Sequence, residues 1–310
     1  MTASETRPES SQEKGKETDK RFFCFGLGYS AGRLARALLS DGWSAAGTCQ
    51  SEERRAELAA DGIEAHVFDV DTRLSDAAEL LSGVTHLLSS VPPPRDGGGE
   101  EGDRDPVLAL YAENIRAAEH IQWIGYLSST GVYGDAGGGR VDETTPVNPS
   151  SERSRMRAEA EAEWLALGAH VFRLAGIYGP GRSALDQVRA GRARRIEKPG
   201  HKFSRIHVDD IAAVVRASMD RPDPGAIYNV CDDEAASPAD VNAFAYELLG
   251  QEAPPVTAFE DIVKTMSPMG LSFWQDNRLV DNSRIKEALG VRLAYPDYRA
   301  GLRAILAEGA

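Results

Sequence analysis

Apolar runs of strand length alternate with longer charged segments over residues 21–180, and this alternation constrains the fold more than any other feature. Such strand–helix alternation predicts a parallel sheet with helices on both faces. The predicted fold class is therefore α/β, a doubly wound parallel sheet with a small C-terminal α/β lobe. The predicted strands are RFFCFGL (21–27), WSAAGTC (43–49), IEAHVFDV (63–70), THLLSSV (85–91), QWIGYLSS (122–129) and HVFRLAGIYG (170–179).

The turn between the first strand and the first helix carries a glycine pattern. Gly26, Gly28 and Ala31 have the G-x-G-x-x-A spacing after a predicted strand, which is the context that the dinucleotide-binding fingerprint requires. Gly26 would allow the tight turn, Gly28 would let the backbone approach a pyrophosphate, and Ala31 would permit close helix–strand packing. The helix N-terminus, with Tyr29 and Ser30, would then face the phosphates. The alternative is a glycine-rich turn that binds nothing.

The end of the second strand indicates which dinucleotide is preferred. NAD-binding proteins often place a carboxylate there to hold the ribose hydroxyls, whereas this chain has Thr48, Gln50 and Ser51, followed by Arg54. Hydroxyls and an arginine without a carboxylate favour NADP over NAD. The two glutamates after Ser51 weigh against this interpretation, and the arginine is otherwise a solvated helix residue.

Further cofactor contacts are expected where other strands end, because open α/β sheets bind ligands at the carboxyl ends of their strands. Asp69 is a candidate for the adenine edge, or it is a strand-end turn residue. The other predicted contacts are Val70, Val91, Pro92, Ser128, Ala175 and Gly176.

Changes in composition divide the chain into segments. Residues 1–20 are polar and lack an apolar core, which predicts a disordered tail. Residues 92–106 are rich in proline and glycine and are expected to form a surface loop, either a lid or a plain insertion. The predicted domains are an NAD(P)-binding Rossmann domain at 21–180 and 204–232, and a small substrate lobe at 181–203 and 233–310.

The net charge and the spacing of the cysteines limit which partners and which cellular compartment are expected. A net charge of −13 weighs against a nucleic-acid partner, although the basic stretch 189–202 is either a solvated segment or a phosphate-binding one. The 3 cysteines lie far apart, which favours a reducing, cytoplasmic setting. No apolar run reaches the ~18 residues of a membrane span, and no cluster has metal-ligand spacing. We expect a small-molecule substrate, no membrane partner, and a monomer or homodimer.

Six stretches in a fixed order resemble the short-chain dehydrogenase/reductase superfamily, and in particular its extended branch of NAD-dependent epimerases and dehydratases. The resemblance extends over roughly residues 21–300 and implies a Rossmann domain with a small substrate lobe. The stretches are GLGYSAG (26–32), ENIRAA (113–118), LSSTGVYG (127–134), FRLAGIYGPGRS (172–183), RIHVDDIA (205–212) and YNVCDDE (228–234).

The resemblance also implies a catalytic set, from which this chain departs. The family uses a hydroxyl residue, an asparagine, and a tyrosine followed four residues later by a lysine. Ser129 and Asn114 match the first two, whereas Ser151 and Arg155 stand at the tyrosine and lysine positions. Because a serine hydroxyl is a far weaker acid than a phenol, the chain lacks the usual proton carrier and looks like an atypical member.

Other residues are candidates for substrate contacts. Tyr133 and Tyr178 could replace the missing acid, or they pack against the sheet edge. His207 titrates near neutrality, or it holds the junction with the lobe. Arg182 and Arg205 could bind an anionic substrate, or form interdomain ion pairs. The expected function is an oxidoreductase or epimerase-like enzyme with a degenerate site; the alternatives are a non-catalytic NADP sensor and an interaction scaffold without nucleotide.

Overall fold

The computed structural model describes residues 20–68, 73–74, 76–94 and 105–309. Two candidate cofactor residues, Asp69 and Val70, lie outside the described residues, as do nearly all of the predicted tail and most of the 92–106 loop.

A seven-stranded parallel sheet forms the centre of the molecule. The strands of the described part are β1 Arg21–Phe25, β2 Ser44–Cys49, β3 Glu64–Val67, β4 His86–Ser89, β5 Trp123–Ser129, β6 Arg140–Val141, β7 His170–Leu174, β8 Gly176–Tyr178, β9 Ile196–Glu197, β10 Arg205–His207, β11 Ile227–Val230, β12 Thr257–Ala258 and β13 Leu279–Val280. The sheet has the order β11-β7-β5-β4-β1-β2-β3, and β6 pairs with β13, β8 with β10, and β9 with β12. The predicted doubly wound α/β fold is confirmed. Because β2 and β4 flank β1, the strand order reverses there and a crevice opens at the carboxyl ends of β1 and β4.

Helices connect the strands and cover both faces of the sheet. They are α1 Tyr29–Ser40, α2 Glu52–Ala60, α3 Ala77–Leu81, α4 Pro106–Ala117, α5 Glu152–Leu165, α6 Ala184–Arg189, α7 Val208–Asp220, α8 Pro238–Leu248, α9 Phe259–Ile262, α10 Pro268–Ser272, α11 Ser283–Glu287 and α12 Tyr298–Glu308, with 3₁₀ turns at Thr130–Tyr133 and Val263–Thr265. Among the helices that the structure describes, none is long and apolar enough to cross a membrane.

The sheet is buried on both faces because its strands supply apolar side chains to each. On β1, Phe22 packs with Leu34 of α1 in one core, whereas Phe23 packs with Tyr111 of α4 and Trp164 of α5 in the other. Successive side chains of a strand point to opposite faces, so the continuous apolar run of β1 serves both cores. Full burial of each such aromatic ring stabilises the fold by about 1.5–3 kcal/mol.

A third apolar cluster lies in the C-terminal part of the chain. Leu185 of α6, Val241 of α8 and Leu302 of α12 form its centre, and Tyr178 of β8 belongs to it. The cluster therefore joins both predicted lobe segments to the end of the sheet. The exact division of the chain into two domains stays a prediction.

A carboxylate covers the edge of the sheet at β11. The outward-facing N–H of Asn229 donates to Glu143 Oε1 at 2.7 Å. Burial raises the pKa of Glu143 above its usual range. An unpaired edge N–H is open to pairing with another strand, and here a side chain from the segment after β6 occupies that position.

Candidate functional site

The turn after β1 is held by the neighbouring strand. Gly26 has φ +86°, and a Cβ on it would lie 3.1 Å from Val91 Cγ2, so both conformation and space require glycine. Its N–H donates to Thr48 Oγ1 at 2.8 Å, and Leu27 N donates to Thr48 O at 2.6 Å. Thr48 is 1% exposed, and it therefore shapes the turn in this structure instead of facing a ribose.

The N-terminus of α1 is open to solvent. Gly28 is its N-cap residue, no side chain of the described residues caps the helix, and a Cβ on Gly28 would meet nothing within 4 Å. Free N–H groups at a helix start attract anions, and this helix starts beside the crevice between β1 and β4. Ala31 is buried and packs the helix on the sheet. Ser30 is half-buried, whereas the Tyr29 hydroxyl donates to the carbonyl of Pro180 at 3.0 Å.

The opposite wall of the crevice comes from the end of β4. The Ser90 hydroxyl donates to the Gly26 carbonyl at 2.5 Å, which ties the two strand ends together. Val91 is half-buried and Pro92 is exposed. Both predicted contacts thus lie at the edge of the crevice.

The end of β2 brings a cation beside α1. Gln50 is exposed, and Ser51 caps α2 by accepting a hydrogen bond from Arg54 N at 3.2 Å. The Arg54 side chain pairs with Glu57 at 2.6 Å, and its Nη2 would lie 3.1 Å from a Cβ on Gly32. The guanidinium group therefore lies over the first turns of α1.

A cluster of serine hydroxyls surrounds the turn after β5. The Ser129 oxygen accepts the Gly131 N–H at 3.1 Å. A Cβ on Gly131 would lie 3.3 Å from Ser129 Oγ and 3.2 Å from Ser154 Oγ. Ser151 is the N-cap of α5, and its hydroxyl donates to Ser154 Oγ at 3.0 Å. Ser154, which the sequence analysis missed, is thus the α5 hydroxyl beside the turn, and Ser151 supports it.

The two other residues of the expected catalytic set lie on helices. Arg155 pairs with Glu152 and, at 2.5 Å, with Glu159, both on its own helix α5. Asn114 is half-buried on α4. In this structure the charge of Arg155 is therefore engaged by carboxylates at the helix surface.

A buried ion pair lies beneath the serine cluster. Arg173 on β7 and Glu161 on α5 are joined at 2.8 Å, with both side chains 4% exposed. The Ser128 hydroxyl donates to Glu161. The Arg173 guanidinium lies 4.7 Å from the centre of the Tyr133 ring, and the Tyr133 hydroxyl donates to Asn229 Oδ1 at 2.8 Å.

Two predicted site residues consequently lie in the interior. Ser128 is buried in the ion-pair network and not at a cofactor surface, because Glu161 accepts its hydroxyl. Tyr133 is 3% exposed, and burial raises the pKa of its hydroxyl. In this conformation neither side chain is accessible to a ligand.

His207 and Tyr178 pack against each other where the lobe begins. The His207 ring is 1% exposed, caps α7 by accepting the Asp209 N–H at 3.2 Å, and lies 5.2 Å from the Tyr178 ring. Burial lowers the pKa of His207 to about 4. Tyr178 donates to the carbonyl of Asp297 at 3.3 Å, and burial raises its pKa. The surroundings of both side chains therefore favour a structural role, in which Tyr178 packs at the sheet edge and His207 holds the junction with the lobe.

A cavity of about 260 Å³ brings the two candidate arginines together. Arg182 and Arg205 both line it, with apolar walls from α8 and α12. Arg205 is held by the carbonyls of Phe203 and Ala236, each at 2.8 Å. The Arg182 guanidinium lies 5.8 Å from the centre of the Tyr29 ring, so it stands between this cavity and the N-terminus of α1.

Two further predicted cofactor contacts, Ala175 and Gly176, lie where β7 passes into β8. Ala175 is buried and its N–H donates to the Val230 carbonyl at 3.0 Å, whereas Gly176 is exposed.

Among the residues that the structure describes, there is no group of three or more His, Cys, Asp or Glu side chains that could hold a metal ion.

Sequence comparison places the chain in a family. It is 31% identical to the Escherichia coli protein YeeZ over 288 residues, which cover 90% of this chain and 97% of YeeZ. The chain belongs to the YeeZ family. No family model matches its sequence.

Solved structures share the fold of this chain. A conserved protein of unknown function from Silicibacter pomeroyi is 48% identical, with a TM-score of 0.84, over 93% of this chain and 99% of that one. A putative NAD-dependent epimerase/dehydratase from Methylobacillus flagellatus is 27% identical, with a TM-score of 0.70, over 94% and 99%. A dTDP-glucose 4,6-dehydratase from Bacillus anthracis, solved with NAD, shares the fold at 16% identity, with a TM-score of 0.73, over 93% and 96%. The expected epimerase/dehydratase fold is thus confirmed.

Proposed function

We propose that this YeeZ-family chain binds NADP and acts as an oxidoreductase or epimerase-like enzyme on a small anionic molecule, with serine hydroxyls where relatives of the fold use a tyrosine. The observation that carries the proposal is the uncapped start of α1 at Gly28, beside a crevice that the Gly26 turn and Val91 border. The solved neighbour with NAD supports a nicotinamide dinucleotide as the ligand.

The residues at the crevice fit the two halves of such a cofactor. The pyrophosphate would lie against Gly28, where nothing obstructs a close approach of backbone. The adenosine half would lie towards α2, since that is where the second strand ends. The nicotinamide half would extend towards Ser129, two strands from β1 in the sheet order.

Arg54 supports NADP over NAD. Its guanidinium lies over the first turns of α1, and no carboxylate ends β2, where one would repel a 2′-phosphate. A charge-assisted contact of this kind is typically worth about 1.5–3 kcal/mol, or roughly 10- to 150-fold in affinity.

Fluorescence titration tests the preference. We expect Arg54→Ala to weaken NADPH binding about tenfold or more and to leave NADH binding unchanged. Arg55→Ala is the matched control, because Arg55 lies on the same helix and pairs with Glu52 in solvent. Equal loss for NADPH and NADH, or no loss, refutes the 2′-phosphate contact; no binding of either dinucleotide refutes the proposed function.

The serine cluster would polarise an oxygen of the substrate. Ser129 accepts the Gly131 N–H, and Ser154 accepts the Ser151 hydroxyl, so each keeps its own hydrogen for a further acceptor. Two such donors beside one turn can stabilise negative charge on an oxygen as it develops. When bound, the nicotinamide ring would supply or accept the hydride. Because serine is a poor acid, water would exchange the proton.

The cavity at Arg182 and Arg205 would hold the anionic part of the substrate. Two guanidinium groups in a cavity with apolar walls suit a phosphate or carboxylate attached to a carbon skeleton. A screen of phosphorylated and carboxylated alcohols, aldehydes and sugars with NADP or NADPH tests this. Turnover should fall about a hundredfold or more in Ser129→Ala and remain in the control Ser150→Ala, whose hydroxyl donates to Asp276.

A second candidate function is a non-catalytic NADP sensor. The observation that favours it is that Tyr133 and Tyr178 are buried and Arg155 is engaged by glutamates, so the described serine cluster lacks a strong acid or base. A sensor would bind NADP and NADPH with different affinity and show no turnover above that of Ser129→Ala. Steady turnover of any substrate in the screen excludes it.

A further inference from the structure

The substrate cavity proposed at Arg182 and Arg205 opens on the side of α6. Tyr298 and Leu302 of α12 form part of its buried wall, whereas Arg182 and Gln187 are its exposed residues. Its volume of about 260 Å³ is below the roughly 300–1,000 Å³ of pockets that enclose most of a drug-sized ligand. A substrate larger than this volume would therefore extend outwards past α6.

The turn after α6 places an arginine beside this opening. Gly191 has φ +64°, and its N–H donates to the Val188 carbonyl at 2.9 Å, while the Arg192 N–H donates to the Gln187 carbonyl at 2.9 Å. These two bonds form a Schellman motif, which favours glycine and brings the chain back over the last helical turn. The Arg192 side chain follows, and its Nε donates to Gln187 Oε1 at 3.3 Å. Because Gln187 lines the cavity, Arg192 lies one side chain beyond the opening.

Arg192 has donors left for a ligand. It is exposed, and within the described part of the chain its side chain contacts the Gln187 amide and forms no ion pair. An arginine presents its N–H donors in a planar fork that matches a phosphate or a carboxylate. The N–H groups of Nη1 and Nη2 therefore remain for an anion bound outside the cavity.

Two carboxylates on the helices beside the cavity are engaged by helix caps. Asp186 of α6 accepts the Ser183 hydroxyl at 2.6 Å and the Ser183 N–H at 2.8 Å. Asp240 of α8 accepts the Ser237 hydroxyl at 2.8 Å. Within the described residues, neither carboxylate forms an ion pair with the arginines at the opening, so these arginines keep their charge for a ligand.

We propose that the substrate carries two anionic groups, one in the cavity at Arg182 and one at Arg192, and that it belongs to the sugar bisphosphates. This inference rests on the proposed function, because the cavity is the substrate site of that function. A phosphate has three acceptor oxygens and nearly two negative charges, which suits the two guanidinium groups of the cavity. Arg182 precedes α6 and Arg192 follows it; the helix has 6 residues and rises about 9 Å. Phosphates at the two ends of a sugar chain can span such a distance.

Isothermal titration calorimetry with paired ligands tests the second contact. Fructose 1,6-bisphosphate is compared with fructose 6-phosphate, and ribulose 1,5-bisphosphate with ribulose 5-phosphate. We expect the wild type to bind at least one bisphosphate about tenfold or more tightly than its monophosphate, which is the gain from one charge-assisted contact. Arg192→Gln should remove this difference and leave the monophosphate affinity unchanged, whereas Arg182→Gln should weaken both ligands.

The matched control is Arg189→Gln. Arg189 is exposed and belongs to the same basic stretch, but it follows Gln187 by two positions on α6, and residues two apart do not face the same side of a helix. This variant should bind both ligands as the wild type does. The proposal is overturned if no bisphosphate binds more tightly than its monophosphate, or if Arg192→Gln weakens both equally. It is also overturned if Arg189→Gln weakens the bisphosphate as much as Arg192→Gln does, because the basic stretch would then attract anions without a defined contact.

NADPH titration of the same proteins separates this inference from the proposed function. The Tyr29 side chain, at the start of α1, contacts Pro180 and Arg182 before α6 begins, whereas Arg192 lies after the helix ends. Arg192→Gln should therefore bind NADPH as the wild type does. A missing bisphosphate preference with intact NADPH binding overturns this inference alone. An intact bisphosphate preference without binding of NADPH or NADH refutes the proposed function alone.

Discussion

The buried pair of Arg173 and Glu161 should be the most sensitive polar contact in the Rossmann part of the chain. Both side chains are 4% exposed, and they are joined by hydrogen bonds of 2.8–3.2 Å. Arg173→Met would leave Glu161 with only the Ser128 hydroxyl as a donor, and Glu161→Gln would leave the guanidinium without a counter-charge. Each change strands one charge in the interior, so each should lower the free energy of unfolding by about 3–5 kcal/mol.

The double variant separates the energy of the ion pair from the energy lost with the packing of the two side chains. Once one partner is gone, removing the other also removes the stranded charge. Glu161→Gln with Arg173→Met should therefore cost no more than the worse single variant, which corresponds to a coupling energy of about 3 kcal/mol. The loss that remains would come from the Arg173–Tyr133 contact at 4.7 Å, worth about 0.5–2 kcal/mol.

Urea unfolding, followed by circular dichroism, measures these energies. The control is Arg155→Met, because Arg155 pairs with Glu159 at the surface of the same helix, where a pair is worth about 0–1 kcal/mol. Single costs below about 1 kcal/mol, or a double variant whose cost equals the sum of the singles, would refute the reasoning. The slopes with urea should agree among the variants, since all bury similar surface.

Four further variants test the described geometry. In Gly28→Ala the new Cβ meets nothing within 4 Å, so the melting temperature should not change, whereas NADPH affinity should fall about tenfold or more if a pyrophosphate lies against that backbone. Gly26→Ala, at φ +86°, should instead lower the free energy of unfolding by about 1–2 kcal/mol. The opposite pattern in these two variants would contradict both assignments. Gly179→Ala would place a Cβ 2.4 Å from the Tyr29 hydroxyl and should lower the melting temperature, which calorimetry can check; an unchanged value would contradict the close contact. The pKa of His207 is lowered to about 4 in the folded chain, so on acidification the unfolded chain binds a proton at His207 before the folded chain does. The contribution of His207 to stability is therefore complete above about pH 6.5 and is lost as the pH falls towards 4. Between pH 7 and 4 the free energy of unfolding should fall less in His207→Asn than in the wild type, and equal losses would show that His207 does not contribute.

Local pattern sufficed for the sheet and for the turn at Gly26. The run FFCF (22–25) is apolar throughout because β1 is buried on both faces, and the glycine spacing requires a positive φ at one position and open space at another. Each requirement involves neighbours in sequence or one adjacent strand. The YeeZ relationship adds the family, which local pattern could not provide.

The residues of the candidate site were harder to predict because their partners are distant in sequence. Counting along the α5 segment selected Ser151, but a serine at a helix start turns back to cap its own N–H groups, and this brings Ser154 to the turn instead. The serine that follows Ser151 at the third helical position was the available signal. Ser128 and Tyr133 were predicted to contact ligands, but both are buried against the Glu161–Arg173 pair. No local pattern in the sequence shows that Glu161 and Arg173 meet.

The carboxylate of Glu143, which accepts an N–H of the edge strand β11, bears on how the protein behaves at high concentration. The sheet ends there, and an open ladder of N–H groups would let a second molecule extend the sheet by one strand. Glu143 occupies the Asn229 N–H, and a negative charge at that position also repels the acidic surface of another copy, since the chain carries a net charge of −13. One side chain thus occupies an outward N–H of the last strand, and its charge opposes the pairing of a second copy at that position.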